Sequence, residues 1–222
     1  MCGRFTLGEE KEALEKRFGL KLLGRWEPRF NIAPSQAMPV VWNPGKPAFV
    51  SQAWGMKPVW WTHGARELIN IRTETLKEKK TFKHLLEHQR CLVPADGFYE
   101  WKKGGKVSQP FYFKLKDDGI FTFPALWEKE TGDDGKELLT FSLLTVPPNA
   151  LVEKVHDRMP CMLNPDDEAR WLDPDLTPAE ALELCYAYPA KDMQAFPVSR
   201  AVNSPAAEGP SLIRRDGLQS KS

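Results

Sequence analysis

Cys2 stands directly after the first methionine, and its chemistry depends on whether that methionine is kept. Methionine aminopeptidases remove Met1 when the second residue is small, as cysteine is, so we expect the mature chain to begin at Cys2. A leading cysteine carries a free amine and a thiol on adjacent carbons, with reference pKa values of about 7.7–8.0 and about 8.5. Such a pair captures an aldehyde, because the amine forms a Schiff base that the thiol closes into a five-membered thiazolidine. Taken alone, a cysteine at this position is more often just a small residue after the start.

The composition limits how the chain could bind partners. The 222 residues carry a formal net charge of only +1, which argues against a uniformly basic surface for nucleic acid. A few arginines and lysines lining one groove could still neutralise several phosphates. The four cysteines lack the paired spacing of a metal site, and His84 and His88 have no obvious third ligand. We therefore predict no metal and no cofactor.

The termini and the hydropathy indicate a cytoplasmic protein. The first residues lack the apolar core of a signal peptide, and no later stretch is apolar enough to span a bilayer. We expect no contact with a membrane, and cysteines that remain reduced thiols.

Extended runs between Gly, Pro and Asp dominate the pattern and predict strands. They cover residues 38–42, 48–54, 91–101, 111–115, 120–126 and 138–146. Residues 102–106, with two glycines, are typical of a hairpin turn between two of these strands. The fold class that follows is α+β: a single domain dominated by antiparallel β-strands, with several short peripheral helices.

Helical patterns are shorter and fewer. Thr6 and Glu9 have the spacing of a capping box, which predicts a helix near residues 9–18 that ends at Gly19. Further helices are predicted around residues 82–86, after Pro148, and at 166–172 and 178–185. Residues 204–222 show almost no apolar periodicity, so we expect residues 1–203 to form the domain and 204–222 a flexible C-terminal tail.

Seven short segments, in order along residues 1–203, carry a resemblance to a known family. They are MCGRF (1–5), FNIAP (30–34), WGM (54–56), NIRTET (70–75), RCLVPADGFYEW (90–101), HDRMP (156–160) and PVSRAV (197–202). The chain closely resembles the SOS-response-associated peptidase family, also called abasic site processing proteins. Seven matches in register make a chance resemblance very improbable.

The resemblance implies a defined reaction. In this family the N-terminal cysteine, here Cys2, couples to the ring-opened aldehyde of an abasic deoxyribose in single-stranded DNA. The product is a covalent thiazolidine crosslink that shields the lesion during the DNA damage response. The implied activities are those of a lyase and a peptidase, and the expected protein is a monomer that joins the nucleoid when bound to DNA.

The resemblance also implies roles for three further residues at the reaction centre. Asn70 would orient the Cys2 amine through a hydrogen bond, and Glu100 would carry protons during loss of water and ring closure. His156 would protonate the departing sugar oxygen, or assist reversal of the crosslink, since imidazole titrates near neutrality.

A second set of residues is expected to contact DNA. Guanidinium groups bind phosphate oxygens in a bidentate manner, which makes Arg4, Arg72 and Arg158 candidates, and Thr145 could add a hydroxyl. Trp60 and Trp61 could stack on bases beside the lesion. Packing in the core is the alternative for either tryptophan.

Two other function classes remain open at this stage. A cysteine peptidase, such as one that removes its own first residue, would use Cys2 as nucleophile and His156 or Glu100 as base, and it would need an oxyanion hole. A non-covalent reader of modified DNA would need the arginines and tryptophans but no aminothiol. Formation of a covalent complex distinguishes these classes.

Overall fold

Strands outnumber helices in the described chain. The computed structural model describes residues 2–43, 45–57, 66–104, 107–131 and 135–217, apart from the Thr81 side chain. The strands are β1 (Phe5–Leu7), β2 (Arg29–Ile32), β3 (Ala37–Trp42), β4 (Ala48–Trp54), β5 (Asn70–Arg72), β6 (Arg90–Ala95), β7 (Gly97–Lys102), β8 (Gln109–Leu115), β9 (Phe121–Thr131), β10 (Glu137–Val146), β11 (Met159–Pro160) and β12 (Met193–Pro197). The α-helices are α1 (Lys11–Phe18), α2 (Thr73–Glu78), α3 (Lys83–His88), α4 (Pro165–Trp171) and α5 (Pro178–Glu183). Single 3-10 turns lie at Lys80–Phe82, Val152–Lys154, Ala190–Asp192, Arg200–Asn203 and Pro210–Ile213.

The strands form two sheets. The first has the order β12-β8-β7-β1-β2, with antiparallel pairing throughout. The second has the order β11-β10-β4-β3-β6-β9, and β9 also pairs with β10, so this sheet closes on itself. Only the pairings of β10 with β4 and β5 are parallel among the described residues. The predicted α+β domain of mainly antiparallel strands with short helices is confirmed.

The predicted strand at residues 91–101 is two strands in different sheets. The chain turns at Asp96, between β6 of the second sheet and β7 of the first. The Asp96 carboxylate accepts hydrogen bonds from the Thr6 hydroxyl and, at 2.5 Å, from the Gly8 amide. This corner ties β1 to both sheets, and the hydrophobic pattern does not reveal it because residues on either side of the corner are buried alike.

The predicted capping box is wrong, whereas the predicted helix end is confirmed. Thr6 lies within β1, and α1 begins later, after Glu10. The side chain of Glu10, the N-cap residue, makes no capping hydrogen bond. The backbone of Gly19 adopts the left-handed conformation at the C-cap, with a φ of 64°. Pairing of Thr6 in a sheet therefore overrides the local capping pattern.

One aromatic side chain of β1 joins the two sheets. The Phe5 ring packs edge-on against Trp54 of β4, with ring centroids 5.1 Å apart, and against Phe123 of β9 at 5.7 Å. All three side chains are fully buried. Burial of large aromatic rings is a major stabilising term, so the residues just before Phe5 are held where the two sheets meet.

The first part of the segment expected to be a flexible tail is packed on the domain instead. Asn31 donates hydrogen bonds to the Ser204 and Ala207 carbonyls at 2.8 Å, and Glu208 forms an ion pair with Arg29 at 2.9 Å. Leu212 is buried in a cluster beside β8. The contacts are mostly polar and join distant parts of the chain, which is why an apolar periodicity is missing from residues 204–217.

Two further expectations concern the loops and the membrane. β7 and β8 pair as the arms of the predicted hairpin, although residues 105–106 of its turn lie outside the described residues. Among the described helices, not one has both the length and the apolar character required to cross a bilayer.

Candidate functional site

Cys2 lies at the junction of the two sheets, three residues before Phe5, the first residue of β1. Its side chain is fully buried, and its thiol points to the Arg4 carbonyl at 3.6 Å. Burial, and secondarily the negative charge of Glu100, raises the pKa of the thiol far above its ordinary value. The sulfur is therefore held as a neutral thiol. The effect of Glu100 on this pKa also shows that its carboxyl lies within electrostatic range of the Cys2 sulfur.

Asn70 holds the main chain of Cys2. Asn70 is the first residue of β5, which runs parallel to β10, and its side chain is buried beneath this pairing. The side-chain amide donates a hydrogen bond of 2.7 Å to the Cys2 carbonyl oxygen. The other side-chain atom, Oδ1, is buried and accepts no hydrogen bond from the described residues. A hydrogen-bond acceptor thus lies beside Cys2.

Glu100 reaches the same junction from β7. It follows Phe98 by two residues and so lies on the same face of the strand, toward the shared core. Only 2% of the residue is exposed, and burial raises the pKa of its carboxyl to about 7. A carboxyl with this pKa exchanges protons readily near neutral pH.

His156 lies opposite Glu100, just after the 3-10 turn at Val152–Lys154. The distance from its Nε2 to Glu100 Oε2 is 3.9 Å, which is longer than a hydrogen bond but within electrostatic reach. Burial lowers the pKa of His156, so the ring is neutral at neutral pH. The three candidate partners of Cys2 are thus drawn from β5, β7 and a loop, and they converge on one junction.

Backbone hydrogen bonds set the proton position on His156. The Arg158 amide donates to His156 Nδ1 at 3.0 Å, which requires an unprotonated Nδ1 in the neutral ring. The proton of the neutral ring is therefore assigned to Nε2, the nitrogen that faces Glu100. The Arg158 carbonyl and the Asp157 carboxylate, at 3.2 and 3.1 Å from the same Nδ1, compete with this assignment, so the turn at residues 156–158 holds the ring in place while its contacts divide between the two tautomers.

The guanidinium of Arg158 is engaged within the protein. Its two terminal nitrogens form a bidentate ion pair with Glu74, at 2.7 and 3.0 Å, and one of them also donates to the Thr145 carbonyl at 2.6 Å. Thr145 itself is fully buried, and its hydroxyl donates to the Ile71 carbonyl at 3.4 Å. Glu74, in the first turn of α2, was not among the sequence-based candidates, although it lies inside the 70–75 segment.

The guanidinium of Arg4 is also engaged within the protein, whereas that of Arg72 makes no hydrogen bond or ion pair with the described residues. One Arg4 nitrogen donates to Asn31 Oδ1 and to the Val202 carbonyl, each at 2.7 Å. Arg72 is exposed at the end of β5 and forms no ion pair within the described part of the chain. Of the three arginines singled out in the sequence, Arg72 therefore presents the most accessible guanidinium.

The remaining residues considered in the sequence are two tryptophans and two histidines. Trp60 and Trp61 lie outside the described residues. The rings of His84 and His88 pack edge to face at 5.0 Å, and the described residues contain no group of three potential metal ligands.

The sequence is similar to those of known proteins over most of its length. A family model described as "SOS response associated peptidase (SRAP)" matches residues 1–205. The chain is 39% identical over 221 residues to the abasic site processing protein YoqW of Bacillus subtilis (strain 168), covering 96% of this chain and 99% of that protein. It is 31% identical to the abasic site processing protein YedK of Escherichia coli (strain K12), with the same coverage.

The fold also matches a solved structure. A crystal structure of a protein from Bacteroides thetaiotaomicron superposes with a TM-score of 0.85 at 24% identity, covering 96% of this chain and 99% of that one. The matched segment includes Cys2, Asn70, Glu100 and His156. The chain belongs to the SOS response associated peptidase family.

Proposed function

We propose that this protein processes abasic sites in single-stranded DNA by forming a thiazolidine between Cys2 and the sugar aldehyde. The observation that carries the proposal is the convergence of Asn70, Glu100 and His156 on the first residue of the mature chain. The names of the relatives, which describe abasic site processing, support the same substrate. The crosslink would shield the lesion during the DNA damage response.

The reaction begins once Met1 has been removed, because the nitrogen of Cys2 is an amide until then. The free amine adds to the aldehyde carbon of the ring-opened deoxyribose and gives a carbinolamine. Loss of one water leaves an imine. The thiol then adds to the imine carbon while its proton passes to the nitrogen, which closes the ring, so one water leaves for each crosslink formed.

Asn70 is suited to aim the amine at the aldehyde. Its donor already holds the Cys2 carbonyl, and its buried Oδ1 offers an acceptor to an amine N–H on the same residue. The two contacts together would fix rotation of the terminal residue. Such pre-organisation lowers the entropic part of a reaction barrier.

Glu100 is suited to the proton transfers. Because its pKa is about 7, both protonation states are populated at neutral pH. The acid form can protonate the departing hydroxyl of the carbinolamine, and the base form can receive the thiol proton during ring closure. A carboxylate with an ordinary pKa would supply only the second function.

His156 is suited to act on the sugar oxygen. The neutral ring presents its Nε2 proton toward the side where Glu100 lies. That proton can be donated to the ring oxygen when deoxyribose opens to its aldehyde form. The same group can assist the reverse reaction.

Arg72 is the leading candidate for a phosphate contact, because it is exposed and forms no ion pair among the described residues. Arg4 and Arg158 would contact phosphate only by exchanging hydrogen bonds that their guanidinium groups make within the protein. Thr145, being buried, would act by supporting Arg158. Trp60 and Trp61 remain candidates for base stacking.

The test is a covalent trap. The full-length protein without Met1 is incubated with a single-stranded oligonucleotide that contains one abasic site, and products are separated on a denaturing gel. The wild type is expected to give a complex that survives heating. Cys2→Ala should give none, and Cys2→Ser should give only an imine that requires borohydride to be retained.

Other outcomes identify the rival classes. A complex seen on a native gel but absent from the denaturing gel would indicate a non-covalent reader. A stable complex of equal yield with Cys2→Ala would refute the assignment of the aminothiol. Hydrolysis of peptides by the wild type, lost in Cys2→Ala and unaccompanied by a DNA complex, would favour a peptidase.

A further inference from the structure

The ion pair between Glu74 and Arg158 lies next to the reaction centre and has no assigned role so far. Both terminal nitrogens of Arg158 are used by the Glu74 carboxylate, at 2.7 and 3.0 Å. The Arg158 side chain is only 10% exposed, and that of Glu74 is 49% exposed. The arginine is thus mostly buried, while its carboxylate partner lies at the surface.

Arg158 is connected to His156 through the main chain. Its guanidinium is fixed by Glu74 and by the Thr145 carbonyl at 2.6 Å, and its backbone amide donates to His156 Nδ1 at 3.0 Å. The Arg158 carbonyl and the Asp157 carboxylate lie at 3.2 and 3.1 Å from the same Nδ1. Those two acceptors favour the opposite tautomer, with the proton on Nδ1. The tautomer therefore depends on how firmly the Arg158 amide is held.

We propose that Glu74 is a positioning residue for His156, acting through Arg158. The bidentate ion pair holds Arg158 against β10, and the held residue keeps its amide directed at His156 Nδ1. The proton then stays on Nε2, which faces Glu100. Two parallel hydrogen bonds to a carboxylate fix the orientation of the guanidinium plane. A single charge-charge contact would leave that plane free to rotate.

The structural part of this inference is testable without DNA. The imidazole nitrogens of His156 are observed by 15N NMR above the pKa of the ring and assigned by comparison with His156→Gln. The wild type should show a protonated Nε2 and an unprotonated Nδ1. Glu74→Ala should shift His156 toward a mixture of both tautomers, and Glu74→Gln, which keeps one acceptor for Arg158, should give an intermediate ratio.

A matched control uses an ion pair far from the site. Glu27 pairs with Arg25, and both side chains are well exposed. Glu27→Ala should leave the His156 tautomer unchanged. Unchanged His156 signals in both Glu74→Ala and Glu74→Gln, with folding verified by thermal melts, would overturn the inference.

The kinetic consequence rests on the proposed function and is measured separately. At saturating abasic DNA, Glu74→Ala should crosslink roughly tenfold more slowly or worse, and the pH profile of its rate should shift, because the proton donor is misplaced. If Glu74 served only to keep Arg158 away from phosphate, the variant would bind DNA more tightly with an unchanged saturated rate. That result would overturn the positioning role.

The two proposals fail in distinguishable ways. Absence of a crosslink with the wild type would remove the proposed function but leave the tautomer experiment intact. A wild-type crosslink together with an unperturbed His156 in the Glu74 variants would remove the positioning role alone.

Discussion

Glu100 combines deep burial with a titratable carboxyl, and its ionisation therefore lowers the stability of the folded protein. Ionisation of a buried carboxyl is unfavourable, which raises its pKa to about 7, whereas an unfolded glutamate titrates at about 4.3. The folded state therefore binds the proton more tightly than the unfolded state. The tighter binding of this proton stabilises the folded state. The stabilisation is fully present below a pH of about 4.3 and is lost as the pH rises through about 7.

Replacing Glu100 with glutamine should uncouple stability from pH. The amide has a similar shape and cannot ionise, so Glu100→Gln should be more stable than the wild type at pH 8, by up to about 3 kcal/mol, and similar to it near pH 4.5. Urea unfolding at both pH values measures the difference. The same variant should crosslink abasic DNA poorly.

The prediction for Glu100 has a clear contrary result. If Glu100→Gln were less stable than the wild type at pH 8, the carboxylate would have to be stabilised by its surroundings rather than penalised by burial. Its part in proton transfer at neutral pH would then lose its physical basis.

Short sequence motifs singled out the residues of the proposed reaction centre but not the contacts that support them. Asn70, Glu100 and His156 come from separate motifs, and the structure brings these residues together beside Cys2. Glu74 was missed because its partner Arg158 is 84 residues away, and the ion pair exists only once β11 lies against β10. Burial of Thr145 was missed too, because it also depends on pairing between distant parts of the chain.

At the scale of elements, one glycine controls how closely β7 and β8 can pack. A Cβ added at Gly97 would lie 2.1 Å from the Tyr112 hydroxyl oxygen and 2.2 Å from the attached ring carbon. Tyr112 is buried and its hydroxyl lies 2.9 Å from the Thr6 hydroxyl, so the ring has little room to move. The strand that carries Glu100 therefore begins at a position where only glycine fits.

Gly97→Ala should destabilise the protein by about 2–3 kcal/mol or more, because a methyl group would be forced against a buried ring. The matched control is Gly104→Ala, where an added Cβ meets nothing within 4 Å. Comparing the two by urea unfolding isolates the steric effect. Equal stabilities of the two variants would show that Tyr112 can yield, contrary to this account.

Three short strands that the sequence did not predict position much of the proposed site. The strands with strong β patterns, such as β4 and β10, agree closely with the predictions. Strands of two or three residues, such as β1, β5 and β11, are too short for a period to show. Cys2 precedes β1, Asn70 begins β5 and Arg158 precedes β11, so the site depends on long-range pairing.

At the scale of the whole molecule, the C-terminal segment stabilises the region around Arg4. Residues 202–207 supply carbonyl acceptors to Arg4 and Asn31, Glu208 pairs with Arg29, and Leu212 is buried. These contacts cover β2, the edge strand beside β1. The segment therefore belongs to the folded unit, although composition alone indicated a tail.

Truncation measures this contribution. A chain that ends at residue 203 should lose about 2 kcal/mol or more relative to one that ends at residue 217, since Leu212 and the acceptors of Asn31 are removed. The difference between the two truncated chains in thermal or urea unfolding reports residues 204–217 alone. Identical curves would show that the segment is dispensable.

In the proposed crosslink, the amine and the thiol of one terminal cysteine bond to the same sugar carbon. The most direct measurement is the intact mass of the purified protein–DNA complex, followed by mapping of the modified peptide. For the proposed thiazolidine we expect a mass one water below the sum of the chain lacking Met1 and the abasic oligonucleotide, with the adduct on a peptide that begins at Cys2. An adduct of the same stability on a chain that still carries Met1, or on a lysine, would contradict it.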